Sequence, residues 1–283
     1  MRRTLRILMP VALALALWLG GCAKHPTDEI YLISREDGSG TRSAFSQLTG
    51  VLRDGHDGLS PRAEITNSTS VVMLSVAGSR NAIGYISLGS LSDRVAALRI
   101  DGVAPTPEHV LDGSYPISRP FLLVTKGAPN PLAADFIAFI GSNEGQAVIS
   151  GAGYAAAGEG GAYEPLGLSG TLAIDGSTSV APVMELLSEA YQARNPQVTV
   201  ELQQSGSSAG ISAVQQGVCD IGMSSRLLSD TETEGLESVT IAMDAIAVIV
   251  SPDNPLRALT LDQVRAVFTG ELDRWGELEE GGA

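Results

Sequence analysis

Residues 170–191, GTLAIDGSTSVAPVMELLSEAY, run from an alternating apolar segment through a Gly/Ser/Thr turn into a segment of helical period. Val183, Leu186, Leu187, Ala190 and Tyr191 follow the 3.6-residue spacing of a half-buried helix, with Ser179 expected as its cap and Pro182 as an early helical residue. The same succession of strand, small-residue turn and helix recurs at 204–210 (QSGSSAG) and at 35–41 (REDGSGT). Glycine in such a turn lets a ligand approach the backbone closely. The first helical turn behind it presents unpaired N–H groups and about half a positive charge. Hydroxyls add neutral donors, so the turns together can cradle an anion without net positive charge. One such turn alone is a capping device; three, one of them beside Arg35, point to binding.

Outward from these units the chain keeps alternating. Val198, Val200 and Leu202 have strand period, and 241–250 is a nearly continuous apolar run suited to a strand covered on both faces. Residues 261–269 predict a helix with Thr260 as cap and Gly270 as its stop, and Phe136, Ile137 and Ile140 predict another that ends near Gly141. No solenoid repeat occurs. The expected class is α/β.

The 283 residues are 44% apolar and 18% charged with a formal charge of -14, a globular composition. That acidity argues against nucleic acid as a partner, because phosphate backbones are held by clustered Lys and Arg. Two cysteines and three histidines offer little for a disulfide framework or a zinc site, and neither a metal nor another cofactor is expected. No apolar run reaches the length of a membrane span. Arg2, Arg3 and Arg6 followed by a short apolar core read as a secretory signal over 1–21. Its end, Leu19-Gly20-Gly21-Cys22, resembles a bacterial lipobox, which implies a lipidated Cys22, a tether over 22–29 and a membrane anchor. Removing 1–21 lowers Lys+Arg from 18 to 15 against 32 Asp+Glu, which leaves about -17. Cys219 is then without a partner and is expected to be a buried thiol.

The set GTLAIDGSTSVAPVMELLSEAY (170–191), QSGSSAGISAVQQGVCDIGMSSR (204–226), IAMDAIAVIVSPDNP (241–255), LTLDQVRAVFTGELDRW (259–275), YLISREDGSGTRSAF (31–45), AIGYISLGSL (82–91) and YPISRPFLLVTK (115–126) resembles the phosphate-binding proteins of bacterial phosphate ABC transporters. The resemblance implies a two-lobed periplasmic-binding-protein fold of type 2. In that family the GSTS segment comes early and REDGSGTR late; here the order is reversed, as in a circularly permuted chain. Such a rearrangement keeps every packing contact if the termini lie close together. The implied lobes are a continuous one over 119–251 and one built from both ends, 30–118 plus 252–283, with crossings near Arg119 and near Val250.

Carried over residue by residue, the resemblance places inorganic phosphate between the lobes against Ser177, Thr178, Ser179 and Ser225 from one side and Arg35, Ser39, Gly40 and Thr41 from the other. Arg35 would supply the fork for two phosphate oxygens. Asp37 is expected to orient Arg35, and Ser207 and Ser208 to support the site. Arg42 and Arg226 are expected only to balance nearby acids. Many family members carry an aspartate where Ser225 stands, which opens the ranking of phosphate against sulfate or a molybdate-like oxyanion. The implied partner is the permease of an ABC transporter, and a monomer is expected. Two other readings remain: a surface sensor or adhesion protein on the same fold, and a serine hydrolase. The latter rests on Gly206-Ser207-Ser208-Ala209-Gly210, which fits the G-x-S-x-G elbow with Ser208 as nucleophile. It needs a base from His25, His56 or His109, none of which stands in a suitable place.

Overall fold

The computed structural model describes residues 28–158 and 160–280. The signal, Cys22 and His25 lie outside them. The main elements in chain order are β1 (Tyr31–Arg35), α1 (Gly40–Thr49), β2 (Glu64–Thr66), α2 (Thr69–Ala77), β3 (Ala82–Ser87), β4 (Ser118–Lys126), α3 (Pro131–Gly141) and α4 (Asn143–Gly151). Then follow β5 (Gly170–Gly176), α5 (Ala181–Arg194), β6 (Val198–Gln203), α6 (Ser207–Gln216), β7 (Ile221–Ser224), β8 (Leu236–Val250), α7 (Leu261–Thr269) and α8 (Trp275–Glu280).

Local chemistry sets the boundaries. Thr260 and Gln263 form a reciprocal capping box at the start of α7, and Gly270 ends it at φ 79°. Ser142 closes α3 and caps α4, its hydroxyl accepting from the Gly145 amide. One expectation fails: Ser179 does not cap α5. The cap position falls to Val180, without a side-chain bond. The Ser179 hydroxyl is therefore free to face another element.

The eight main strands form one continuous path, β6-β5-β7-β4-β8-β3-β1-β2. β5 pairs in parallel with β6 and β7, and β1 in parallel with β2 and β3, while β4 and β8 run antiparallel to each other and to their outer neighbours. β8 is long because its two ends serve different partners: residues up to Ala245 pair with β4, and 246–250 pair with β3. The apolar clusters divide at the same place. Phe121, Phe136, Leu172, Leu187, Tyr191 and Ile241 belong to one core, and Leu32, Phe45, Ile83, Val248, Val267 and Phe268 to the other. On this pairing we propose that the second crossing lies within β8 near Asp244 and Ala245, ahead of the expected Val250. The first stays at Arg119, its cross-strand partner.

The parallel strands of the two halves run toward each other and end on either side of the β4/β8 crossing, where the helices that follow them start; the C-terminal ends of parallel strands are where such sheets bind ligands. Gly176 closes β5 at φ 141°, with any Cβ driven into the Met223 carbonyl, so only glycine lets the turn after β5 lie against β7.

Candidate functional site

Four helix starts meet between the two cores. The REDGSGT turn delivers Arg35 from the end of β1 and Ser39, Gly40 and Thr41 at the head of α1; the GSTS turn delivers Ser177, Thr178 and Ser179 ahead of α5. Ser207 heads α6 and Ser225 follows β7. The fourth start is α2, with Thr69. All of these side chains are buried.

Hydrogen bonds stitch the groups together across the cleft. Thr41 Oγ1 lies 2.7 Å from Ser179 Oγ, and Thr69 Oγ1 lies 3.2 Å from Ser179 Oγ and 3.3 Å from Thr178 Oγ1. Ser177 Oγ donates to Ser225 Oγ at 2.9 Å. Ser207 Oγ accepts from the Ser225 amide at 3.2 Å and stands 3.4 Å from its hydroxyl. Gly40 comes against this pair so closely that an added Cβ would stand 2.6 Å from Ser225 Oγ and press on Ser207 Oγ. The side chains expected for the site thus converge, with Ser39 one step removed: its hydroxyl caps α1 by accepting from the Arg42 amide.

Arg35 is held from three directions. Nε and Nη2 each donate to the Glu36 carboxylate at 2.9 Å, and Nη1 donates to Thr69 Oγ1 at 3.2 Å. Its amide donates to the Tyr85 hydroxyl, which also bonds Ser34, and the Tyr85 ring stacks on Phe45 at 3.9 Å. A guanidinium carries five N–H donors. Two therefore remain for a ligand.

Asp37 does not orient Arg35. Its side chain is 95% exposed and pairs with Arg42, while Glu36 takes the role assigned to it, because the turn directs position 36 inward and position 37 to solvent. Arg42 and Arg226 do balance acids, Arg42 with Asp57 and Arg226 bidentately with Glu232. Ser208 stands at the rim. Its Oγ accepts from Arg226 Nη2 at 3.0 Å, and its amide donates to the Gly38 carbonyl of the other lobe. The partner of the would-be nucleophile is thus an arginine. His109 is occupied elsewhere, with Nδ1 2.9 Å from the Ala104 carbonyl in the short helix Pro107–Leu111, and His56 is exposed. Cys219 is half-buried rather than buried, and its thiol is pushed up to about 11 by burial and by Asp175.

Sequence reading missed Thr69, Glu36 and a buried ion pair. Arg119 donates through Nε and Nη2 to Asp244 Oδ2 at 3.1 and 3.0 Å, directly behind the cradle. Burial pushes the Asp244 carboxyl up to about 6 against the pull of Arg119, and burial also lowers the Arg119 guanidinium. A signal for Thr69 was present: Ser68-Thr69-Ser70-Val71 repeats Ser177-Thr178-Ser179-Val180. With Arg35 matched by Glu36 and Arg119 by Asp244, these two ion pairs are formally neutral. Attraction for an anion falls to helix starts and hydroxyls.

Comparison with known proteins identifies the family. A family model described as a PBP superfamily domain matches residues 23–144 and 161–283. The phosphate-binding protein PstS 2 of Streptococcus pneumoniae TIGR4 is 46% identical over 255 residues, 88% of each chain. PstS 2 of Streptococcus agalactiae 2603 V/R is 43% identical over 273 residues, 93% of each. The crystal structure of a phosphate ABC transporter phosphate-binding protein from S. pneumoniae TIGR4 superposes with a TM-score of 0.73 at 45% identity, covering 88% of this chain and 99% of that one. Single alignments this long mean that these relatives share the order with the REDGSGT turn first. The chain belongs to the PBP superfamily and, within it, to the bacterial phosphate-binding proteins.

Proposed function

We propose that the protein captures inorganic phosphate between its lobes, without changing it chemically, and delivers it to the permease of an ABC transporter from the outer side of a membrane. The lipobox-like sequence supports a lipid anchor at Cys22. One observation carries the reading: four helix starts from two lobes converge on a single buried cluster around Arg35. The proposed ligand groups are Arg35, Gly40, Thr41, Ser177, Thr178, Ser179, Ser207 and Ser225, with Ser39 fixing the turn and Thr69 added to the expected set. Closure supplies the driving energy, since only the closed form makes both lobes' contacts with the anion at once.

Calorimetry of the purified protein against phosphate, sulfate, molybdate and an organic phosphate tests this. Binding of phosphate in preference to the others is the expected result. Sulfate or molybdate bound as tightly would make the site a general oxyanion receptor. No heat with any of the four would overturn the proposal.

A further inference from the structure

Arg119 and Asp244 face each other as cross-strand partners where β4 and β8 pass from one lobe to the other, and neither is more than 2% exposed. Each has a further partner, and those partners belong to different lobes. Asp244 Oδ1 accepts from Ser87 Oγ at 2.9 Å and from the Leu88 amide at 3.1 Å, at the end of β3 in the lobe built from both chain ends. Arg119 Nη1 donates to the Ser225 carbonyl at 3.2 Å, in the continuous lobe. Ser225 in turn carries the hydroxyl that Ser177 and Ser207 share. The result is a chain of hydrogen bonds from Ser87 and the half-buried Leu88 through the buried Asp244 and Arg119 to Ser225.

We propose that Arg119 and Asp244 are positioning residues that set Ser225, and with it one wall of the anion cradle, according to the relative placement of the two lobes. The inference rests on the phosphate-binding reading above. A buried ion pair is a weak source of stability, because desolvation of both charges offsets their attraction, and a well-packed apolar pair can replace it with little loss. Its geometry is the informative part. The planar guanidinium serves Asp244 along one edge and the Ser225 carbonyl with the remaining nitrogen, a double task that the point charge of lysine cannot reproduce. A change in the angle between the strands at the crossing would thus move the Ser225 carbonyl directly.

The test separates positioning from mere packing. Single substitutions such as Asp244→Asn leave Arg119 poorly paired and can fail to fold, so the decisive variant is the double replacement Arg119→Met with Asp244→Leu. It is expected to melt close to the unmodified protein yet to bind phosphate at least about tenfold more weakly, the loss lying mainly in dissociation rate. A double variant that recovers both stability and affinity would overturn the inference, since the pair would then only fill space. Ser87→Ala, which removes a single hydroxyl at the far end of the chain, provides an independent reading. It is expected to release phosphate roughly threefold faster with association unchanged; identical release kinetics count against the relay. If the unmodified protein itself gives no heat with phosphate, the functional reading fails, whereas normal binding in the unmodified protein and in both variants removes only the relay.

Discussion

Thr69 and Thr178 occupy the same place in two copies of the tetrapeptide Ser-Thr-Ser-Val, one from each lobe, and their hydroxyls meet at 3.3 Å across the cleft. The tetrapeptide opens α2 directly at Thr69 but lies in the turn ahead of α5, and in both places its threonine faces the cleft; Thr69 also holds Nη1 of Arg35. Replacing Thr69 with Val keeps the shape and removes the hydroxyl. Hydrogen bonds to charged groups contribute about 1.5–3 kcal/mol, so phosphate affinity should fall by roughly tenfold to a hundredfold. Titration calorimetry checks it; an unchanged affinity would remove Thr69 from the site.

Arg35 and Asp37 should behave in opposite ways despite lying two residues apart. Arg35→Lys keeps the charge but cannot serve Glu36, Thr69 and an anion together, and a loss of at least about tenfold in affinity is expected. Asp37→Asn touches an exposed pair with Arg42 and should leave affinity within about twofold, because exposed ion pairs contribute little. A strong effect of Asp37→Asn would show that the carboxylate reaches the ligand after all.

Gly40→Ala should block closure. The added carbon meets Ser207 and Ser225, both on the opposite lobe, so the clash exists only when the lobes are together. The expected outcome is loss of measurable phosphate binding with the melting temperature of the ligand-free protein little changed. Small-angle scattering should show no compaction on adding phosphate. Compaction like that of the unmodified protein would contradict the placement of Gly40.

Ser207 and Ser208 are neighbours with different roles. Ser207 is fully buried and fixes both the amide and the hydroxyl of Ser225, whereas Ser208 is only half-buried and bonds Arg226 at the rim. Ser207→Ala should weaken phosphate binding about tenfold, by losing a donor and loosening Ser225. Ser208→Ala should change it by less than about threefold. The reverse ranking, or ester hydrolysis that disappears in Ser208→Ala, would revive the nucleophile-elbow reading.

Glu232 links stability to pH near the rim. Its bidentate hydrogen bonds with Arg226 hold the carboxyl down at about 2, below its ordinary 4.5. A carboxyl lowered in the folded state adds stability that is fully present above 4.5 and is lost as pH falls through 2, since the unfolded chain takes up the proton first. The melting temperature of Glu232→Gln should therefore depend less on pH across that window than that of the unmodified protein. Parallel pH profiles for the two would show that the pair carries no linkage.

Much of this is legible in the sequence. Period and turn chemistry locate β5, α5, β6, α7 and the apolar half of β8, because burial on one face or two imposes its spacing locally. The three small-residue turns likewise announce helix starts able to hold an anion. Other features depend on which way a side chain points once the turn has closed, and a linear pattern carries no such information. Asp37 and Glu36 are adjacent acids in one turn, and only the folded turn sends one inward to Arg35. Ser179 has the composition of a cap, yet packing gives its hydroxyl to Thr41 and Thr69.

The sequence by itself determined the α/β alternation, which follows from periodicity, and carried the family resemblance in short contiguous motifs. The tertiary structure decided which groups meet. Thr69 lies 109 residues from Thr178, and Arg119 lies 125 from Asp244. Contacts at that separation are fixed by sheet order and register, through which strands distant in the chain become neighbours in space.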